Sequence, residues 1–459
     1  MSFKIVFVYL QTSVKYAKIS TTMNAKELYQ LYLQHPQVTT DSRDCPRGSI
    51  FIALKGASFD GNKFAKSALD KGCSYAVIDE PEYADPADPR LILVDDCLLA
   101  FKQLAREHRR QFNIPVIGIT GTNGKTTTKE LISAVLAEKY NVMHTEGNFN
   151  NDVGVPKTLL RLNADHEIAV VEMGASHPGD IKKLVEYVEP TCGLITNVGR
   201  AHLQGFGSFE GVKRTKGELY DFLKAHGGLV FLNTANEHLV AMAQERGLDR
   251  VVSYGHDDEA EVQGRVVAAT PFIEVEWWQA SEGAKGSSVL RTHLIGAYNL
   301  DNILAAVTVG LHFGVSPEQI NHALEQYQPT NNRSELVKTS DNVLIVDAYN
   351  ANPTSMAAAL DSFAAITLPQ PKMVIIGDMR ELGDVSAEEH QKIVDKLKTM
   401  GLTDVWLVGE EFAKTQCAFT KFADVAAVKA AIASAKPTGK CILIKGSNGT
   451  RLFELPALL

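Results

Sequence analysis

Short apolar, β-branched runs alternate along most of the chain with segments whose apolar residues recur at helical spacing. That alternation predicts strands buried on both faces and helices covered on one, the pattern of a parallel α/β protein. Residues Ala25 to Gln34 and Ala65 to Lys71 read as helices, and Gly48 to Leu54, Tyr75 to Ile78 and Leu91 to Val94 as strands. Together they make a small α/β unit ending near Phe112. Val116 to Thr120 is then a buried strand after Pro115, and an amphipathic run extends from Glu130 to Lys139. Ile168 to Glu172 and Cys192 to Ile195 are further strands. From Glu261 to Leu294 apolar and polar positions alternate instead, with Trp277 and Trp278 among them, which predicts an antiparallel meander. Beyond Pro329 the strands Val343 to Val346, Met373 to Ile376, Val405 to Val408 and Cys441 to Ile444 are separated by helical runs, a second small parallel unit.

A chain of 459 residues is too long for one core. The expected fold class is therefore α/β with three domains: a central doubly wound parallel sheet carrying a phosphate loop over 113–328, and smaller α/β domains on either side at 23–112 and 329–459, the last Rossmann-like. Short linkers near Phe112 and Gln328 suit closure by hinge. Residues 1–22 read as an N-terminal extension of poor order or loose packing, because the apolar run Ile5 to Leu10 is short for a signal-peptide core. Hydrophobic residues at 45% and charged ones at 22% fit a soluble globular enzyme. A net charge of −8 weighs against a nucleic-acid partner. Six cysteines without a C-x-x-C pair suggest neither a zinc site nor a disulfide framework, and a reducing compartment. No apolar run approaches a membrane span.

Between the strand at Val116 and the helix that follows lies Gly121-Thr122-Asn123-Gly124-Lys125-Thr126, then Thr127. A glycine turn from a strand into a helix aims backbone N–H groups and the helix N-terminus at one point, which suits a polyphosphate. Lys125 would meet the β- and γ-phosphates and the Thr126 hydroxyl a Mg²⁺. The general phosphate-loop pattern fails at its first glycine, where Ile119 stands. Glu172 and His202 follow apolar strands and so fall near this loop; singly, such residues are more often a helix cap and a satisfied side chain. Asn299 and Asn302 share a helix face and could read an adenine edge or cap the helix. Asp41-Ser42-Arg43 is either a polar turn or a hydroxyl and guanidinium gripping a phosphorylated or uridine-like group. In the last unit polar stretches follow the strands at Asp347 to Pro353, Gly377 to Gly383 and Lys445 to Gly449.

From Met23 onward these residues, with Glu172-Met173-Gly174, Asn197, His202, Lys216-Gly217-Glu218, Asn299, Asn302, Arg333 and Asp347, resemble the Mur ligase family of ATP-dependent amide-forming enzymes. The resemblance implies that ATP activates a carboxylate as an acyl phosphate that an amine then attacks, with Lys125, Lys216 and His202 as the catalytic set. It implies one Mg²⁺ on Thr126 and Glu172 and a second on His202 and Lys216, the lysine being carbamoylated into an anionic ligand. The loop residues Gly121 to Thr127 would cradle ATP, Asn299 and Asn302 contact adenine, Arg333 a phosphate, and Asp347 the ribose or γ-phosphate side. The family usually has histidine where this chain has Tyr298. Thr40 to Arg43, Phe59-Asp60-Gly61, Gly147 to Asn151, Tyr349 to Pro353 and Gly377 to Gly383 resemble the branch that joins D-alanyl-D-alanine to UDP-N-acetylmuramoyl-tripeptide in peptidoglycan precursor synthesis. In that branch Ser42 and Arg43 would hold the UDP-sugar, Asn150 and Asn151 would contact substrate, and Asn350 and Asn352 would place the incoming dipeptide. A cytoplasmic monomer with no nucleic acid and no membrane insertion is expected. The alternatives are another ligase of this kind, such as one extending a folate with glutamate, and a phosphate-loop switch protein.

Overall fold

The computed structural model describes residues 22–283, 287–329 and 333–459; the expected extension, except for Thr22, lies outside the described residues. The chain forms two compact units, one running to Asn113 and taking in Leu159–Leu162, the other comprising Ile114–Thr158 and Asn163–Leu459.

In the first unit four strands, Val38–Thr39, Ile50–Ile52, Tyr75–Ile78 and Leu91–Leu93, lie parallel in that order. Helix Ala25–Gln34 begins where Asn24 Oδ1 accepts the N–H groups of Lys26 and Glu27 while the Glu27 carboxylate accepts that of Asn24, satisfying N–H groups that the helix leaves open. The Tyr32 hydroxyl donates to the Leu160 carbonyl at 3.1 Å, and His108 Nε2 donates to that of Leu162 at 2.8 Å. Those two bonds tie the later segment into this unit.

The second unit holds two sheets. Its nine-stranded sheet runs, edge to edge, through Val142–His144, Ile168–Glu172, Val116–Thr120, Cys192–Ile195, Leu229–Asn233, Val251–Gly255, Val262–Ala269, Phe272–Gln279 and Ser288–Ile295. The first seven are parallel. The expected meander is present, and its first strand pairs parallel with Val251–Gly255, so it extends the parallel sheet instead of forming a layer of its own. Ile117, Ile119, Val170, Leu194 and Phe231 are buried beneath helices Lys125–Ala137 and Leu300–His312 in one core. The six-stranded sheet runs Glu335–Lys338, Val343–Asp347, Cys441–Lys445, Lys372–Gly377, Val405–Val408 and Thr420–Phe422. Its edge strands Glu335–Lys338, antiparallel to its neighbour, and Thr420–Phe422 are short and only half-buried, so they lack the apolar signature of the four inner ones. All six cysteines are free thiols, and no described helix is long and apolar enough to cross a membrane.

From strand Val116–Thr120 the chain leaves to one side, toward Val142–His144 and Ile168–Glu172, and later continues on the other at Cys192–Ile195. That reversal opens a crevice beyond the strand C-termini, where ligands of such sheets bind.

Candidate active site

The loop after Val116–Thr120 is shaped by two glycines. Gly121 has φ +144°, and a Cβ there would stand 2.0 Å from Thr196 Oγ1; Gly124 has φ +78°. Both conformations favour glycine, and at Gly121 the space also forbids a side chain. The segment after Cys192–Ile195 clamps the loop. Thr122 N–H donates to the Asn197 carbonyl at 2.9 Å, Asn123 N–H to Asn197 Oδ1 at 3.0 Å, and Thr196 Oγ1 and Asn197 Nδ2 both donate to the Asn123 carbonyl. The loop is therefore set before any phosphate arrives. Lys125 curls over it, donating from Nζ to the carbonyls of Gly121 and Thr122 at 2.8 and 2.9 Å. Burial pushes its pKa down, with the Arg333 cation adding to the effect and Glu172 opposing it.

The loop faces a cavity of about 850 Å³ lined by Thr122 to Thr127, Asn150, Asn151, Glu172, His202, Tyr298, Asn299, Asn302, Arg333, Asp347 and Asn350, with others from both sheets of this unit. Most of the residues expected at the nucleotide thus meet in one place. Glu172 ends its strand fully buried; its Oε1 accepts from Asn150 Nδ2 at 2.8 Å, and its Oε2 has no hydrogen-bond partner. An unpartnered buried carboxylate oxygen is costly unless a cation or donor meets it, so this atom fits a divalent cation. Among the described residues no three His, Cys, Asp or Glu side chains gather into a metal cluster. A cation beside Glu172 would therefore draw on Thr126, phosphate oxygens and water.

Lys216 sits in helix Phe209–Ala225, which starts at the Ser208 cap. It is 2% exposed, and burial first and the Lys125 cation second hold its pKa well below that of an ordinary lysine. Its Nζ lies 5.6 Å from the centre of the Phe206 ring. A buried amine whose pKa is held down in this way gives up its proton more readily than an ordinary lysine, and in its free-base form it is a nucleophile that can be converted to a carbamate. His202 has a left-handed backbone, φ +50°, and its Nδ1 meets the Glu381 carboxylate from the other sheet. Burial lowers its pKa while Glu381 opposes the shift.

Several expected ligands also hold the scaffold. Asn302 donates to Asn299 Oδ1 at 2.8 Å and accepts from the Thr128 hydroxyl at 2.9 Å, and Asn299 Nδ2 donates to the Ile295 carbonyl. Neither side chain caps the helix; the pair pins Leu300–His312 to the phosphate-loop helix at the cavity wall. Asn151 Oδ1 accepts the N–H groups of Val153 and Gly154, ordering the start of helix Gly154–Leu159. Asn352 does not line the cavity: it caps helix Pro353–Ala365 and donates to Asn123 Oδ1 at 2.7 Å. Asn350 is exposed at the rim, its Oδ1 accepting from Ala351 N–H. Asp347 pairs with the buried Lys445 at 2.5 Å, and the Arg333 guanidinium stacks on Tyr349 at 3.8 Å. Tyr298 keeps an aromatic ring at the cavity and shares a hydrogen bond with Ser334 at 2.8 Å. Ser42 and Arg43 belong to the first unit, where the Arg43 fork is taken by Asp41 at 2.9 and 2.7 Å, as a polar turn would have it. Glu381 and Lys445 carry no individual signal in the sequence; only their place in polar stretches after strands points to them.

Comparison with known proteins shows the family. Three Mur ligase models match in turn, the Mur ligase family catalytic domain over residues 36–109, the Mur ligase middle domain over 119–310 and the Mur ligase glutamate ligase domain over 332–448. The chain belongs to the Mur ligase family. It is 34% identical to the UDP-N-acetylmuramoyl-tripeptide–D-alanyl-D-alanine ligase of Bacillus subtilis, over 95% of this chain and 97% of that one. Among solved structures it resembles MurF from Acinetobacter baumannii, with a TM-score of 0.84 at 30% identity over 95% of this chain and 98% of that one. It also resembles MurF ligase from Thermotoga maritima in complex with ADP, with a TM-score of 0.81 at 25% identity over 93% and 97%.

Proposed function

We propose that the chain is an ADP-forming ligase that joins D-alanyl-D-alanine to UDP-N-acetylmuramoyl-tripeptide in the synthesis of the peptidoglycan precursor. What carries the reading is one cavity that holds a preset phosphate loop and the orphaned Glu172 oxygen, in a chain matching ligases of this substrate along almost its whole length. A carboxylate is a poor acylating agent. The terminal carboxylate of the tripeptide attacks the γ-phosphorus of ATP, the bond to the β-phosphate oxygen breaks, and ADP leaves. The dipeptide amine then attacks the acyl-phosphate carbonyl, loses a proton, and phosphate departs.

Both steps gather negative charge on phosphoryl oxygens. Lys125 turns from the Gly121 and Thr122 carbonyls to these oxygens, and the loop N–H groups that Asn197 leaves open meet them on a frame that the clamp already holds in place. Mg²⁺ held by Thr126 and Glu172, with a second ion at His202 and a carbamoylated Lys216, would add positive charge to the same oxygens. Carbamoylation forms a bond from Lys216 Nζ to the carbon of CO₂ and releases one proton, leaving an anionic oxygen. Arg333 and Asp347 face the nucleotide side of the cavity, and Asn299 and Asn302 set the wall where adenine packs. Ser42 and Arg43 in a domain spanning 23–112 hold the UDP-sugar, once Arg43 exchanges Asp41 for phosphate; the ATP-binding domain spans 113–328 and the dipeptide-binding one 329–459. The protein acts as a monomer, and six free thiols suit the cytoplasm.

Purified protein should release phosphate from ATP only when UDP-tripeptide and D-alanyl-D-alanine are both present. Equal release with L-glutamate and a folate would overturn the reading.

A further inference from the structure

The three strands Val343–Asp347, Cys441–Lys445 and Lys372–Gly377 are adjacent and parallel, so the loops after them gather at one end of the sheet. Those loops are braced: Ser447 Oγ donates to the Asp378 carbonyl at 2.8 Å, and both Asp378 carboxylate oxygens accept backbone N–H groups, from Glu411 and Phe412. On this platform lies Arg380. A Cβ on Gly449 would stand 2.4 Å from Arg380 Cζ, so in this position the guanidinium lies directly over the Gly449 backbone. Its one contact is a long 3.4 Å hydrogen bond from Nη2 to the Gly449 carbonyl, and among the described residues it makes no ion pair. The neighbouring residue, Glu381, has φ +62°, and its carboxylate reaches His202 at the cavity.

We infer that Arg380 is a specificity-determining residue that takes the C-terminal carboxylate of the incoming dipeptide, an inference that rests on the ligase reading above. A planar guanidinium held by a single long hydrogen bond matches a carboxylate by two parallel hydrogen bonds, and the dipeptide is the substrate whose carboxylate survives the reaction. The amine must reach the cavity corner marked by Glu381 and His202. An extended dipeptide spans about 7 Å, comparable with the reach from one residue's side chain to that of the next. Holding the carboxylate at Arg380 therefore leaves the amine directed toward the activated carbonyl and gives the chain direction of the dipeptide.

The test compares D-alanyl-D-alanine with its C-terminal amide in the intact enzyme and in R380A, R380Q and R380K. In the unsubstituted enzyme the amide should show a KM higher on the order of tenfold to a hundredfold, the factor for losing a charge-assisted hydrogen bond. In R380A and R380Q the KM for the acid should rise by the same factor and the preference over the amide vanish, while KM for ATP and for UDP-tripeptide stay within about twofold. R380K should recover part of the preference. If both neutral variants keep the acid-to-amide ratio, or if the loss falls on the KM for UDP-tripeptide because the anion is its diphosphate, the inference is wrong. Absence of dipeptide-dependent phosphate release from the unsubstituted enzyme would instead remove the ligase reading.

Discussion

Asn352 Nδ2 donates to Asn123 Oδ1 across 2.7 Å, joining the cap of a helix in the six-stranded part to the middle of the phosphate loop. The same Asn352 Oδ1 accepts the Ser355 N–H at 2.9 Å as the helix cap. Two functions therefore share one side chain, and they can be separated. N352A removes both, and should lower unfolding free energy by about 1–2 kcal/mol in urea titrations. N352S keeps a capping hydroxyl that is too short to reach Asn123, so most of the stability should return. Both variants should raise the KM for ATP by a similar factor; an N352S enzyme with an unaltered KM would mean that the tie does nothing for the loop.

That bond also marks where the sequence stopped speaking. Val116–Thr120, Ile168–Glu172 and the inner strands of the last sheet were legible because burial on both faces demands uninterrupted apolar residues. The loop was legible because Gly121, Gly124, Lys125 and Thr126 answer to local geometry. Asn352 reads from sequence as a contact for the dipeptide, and its chemistry marks it as polar and well placed but not which neighbour it meets. Glu381 was hidden for the same reason: its partner His202 arrives from another sheet, and no local pattern encodes that pairing. Arg43 reads equally well as a turn or a phosphate clamp, and only the fold reveals its Asp41 partner.

Lys216 should betray its burial through pH. Its folded-state pKa lies well below the ordinary 10.5, so between the two values the unfolded chain binds a proton that the folded chain does not. Stability from this site therefore falls as pH drops from about 10.5 toward the folded value. K216M carries no such group. In bicarbonate-free buffer it should melt higher than the unsubstituted protein near neutral pH, with the gap narrowing as pH rises. The same position should be needed for turnover: K216A should lose activity, and added formate or acetate should restore part of it by replacing the carbamate oxygen. No rescue would count against carbamoylation, and a pH-independent gap against the buried neutral amine.

Glu172 Oε2 supplies a third prediction. In E172Q the Asn150 contact at Oε1 can survive while the anionic charge is lost. Relief of an unpartnered buried carboxylate should leave the protein at least as stable, so folding and cation binding part company. The Mg²⁺ concentration needed for half-maximal activity should rise by about tenfold or more. Calorimetry with a non-hydrolysable ATP analogue should show the same weakening with Mg²⁺ present and little change without it. Equal loss in both conditions would make Glu172 a structural support of the loop.

Gly121 gives the sharpest expectation, because conformation and space act together there. The backbone at φ +144° lies where a side chain is strained, and a methyl group would sit 2.0 Å from Thr196 Oγ1, itself bonded to the Asn123 carbonyl at 2.6 Å. G121A must either shift the loop or break that clamp. Strain of this kind costs about 1–3 kcal/mol, and displaced loop N–H groups lose their common aim. Nucleotide affinity should fall by at least tenfold in calorimetry, and phosphate release should fall further. The double variant G121A/T196A removes the closest clash together with the bond to Asn123, so it is compared with T196A alone: its affinity should be lower, because the strained φ remains and Thr196 N still stands 3.0 Å from the methyl. Equal affinity of the two would assign the effect of G121A to the clash with the hydroxyl alone.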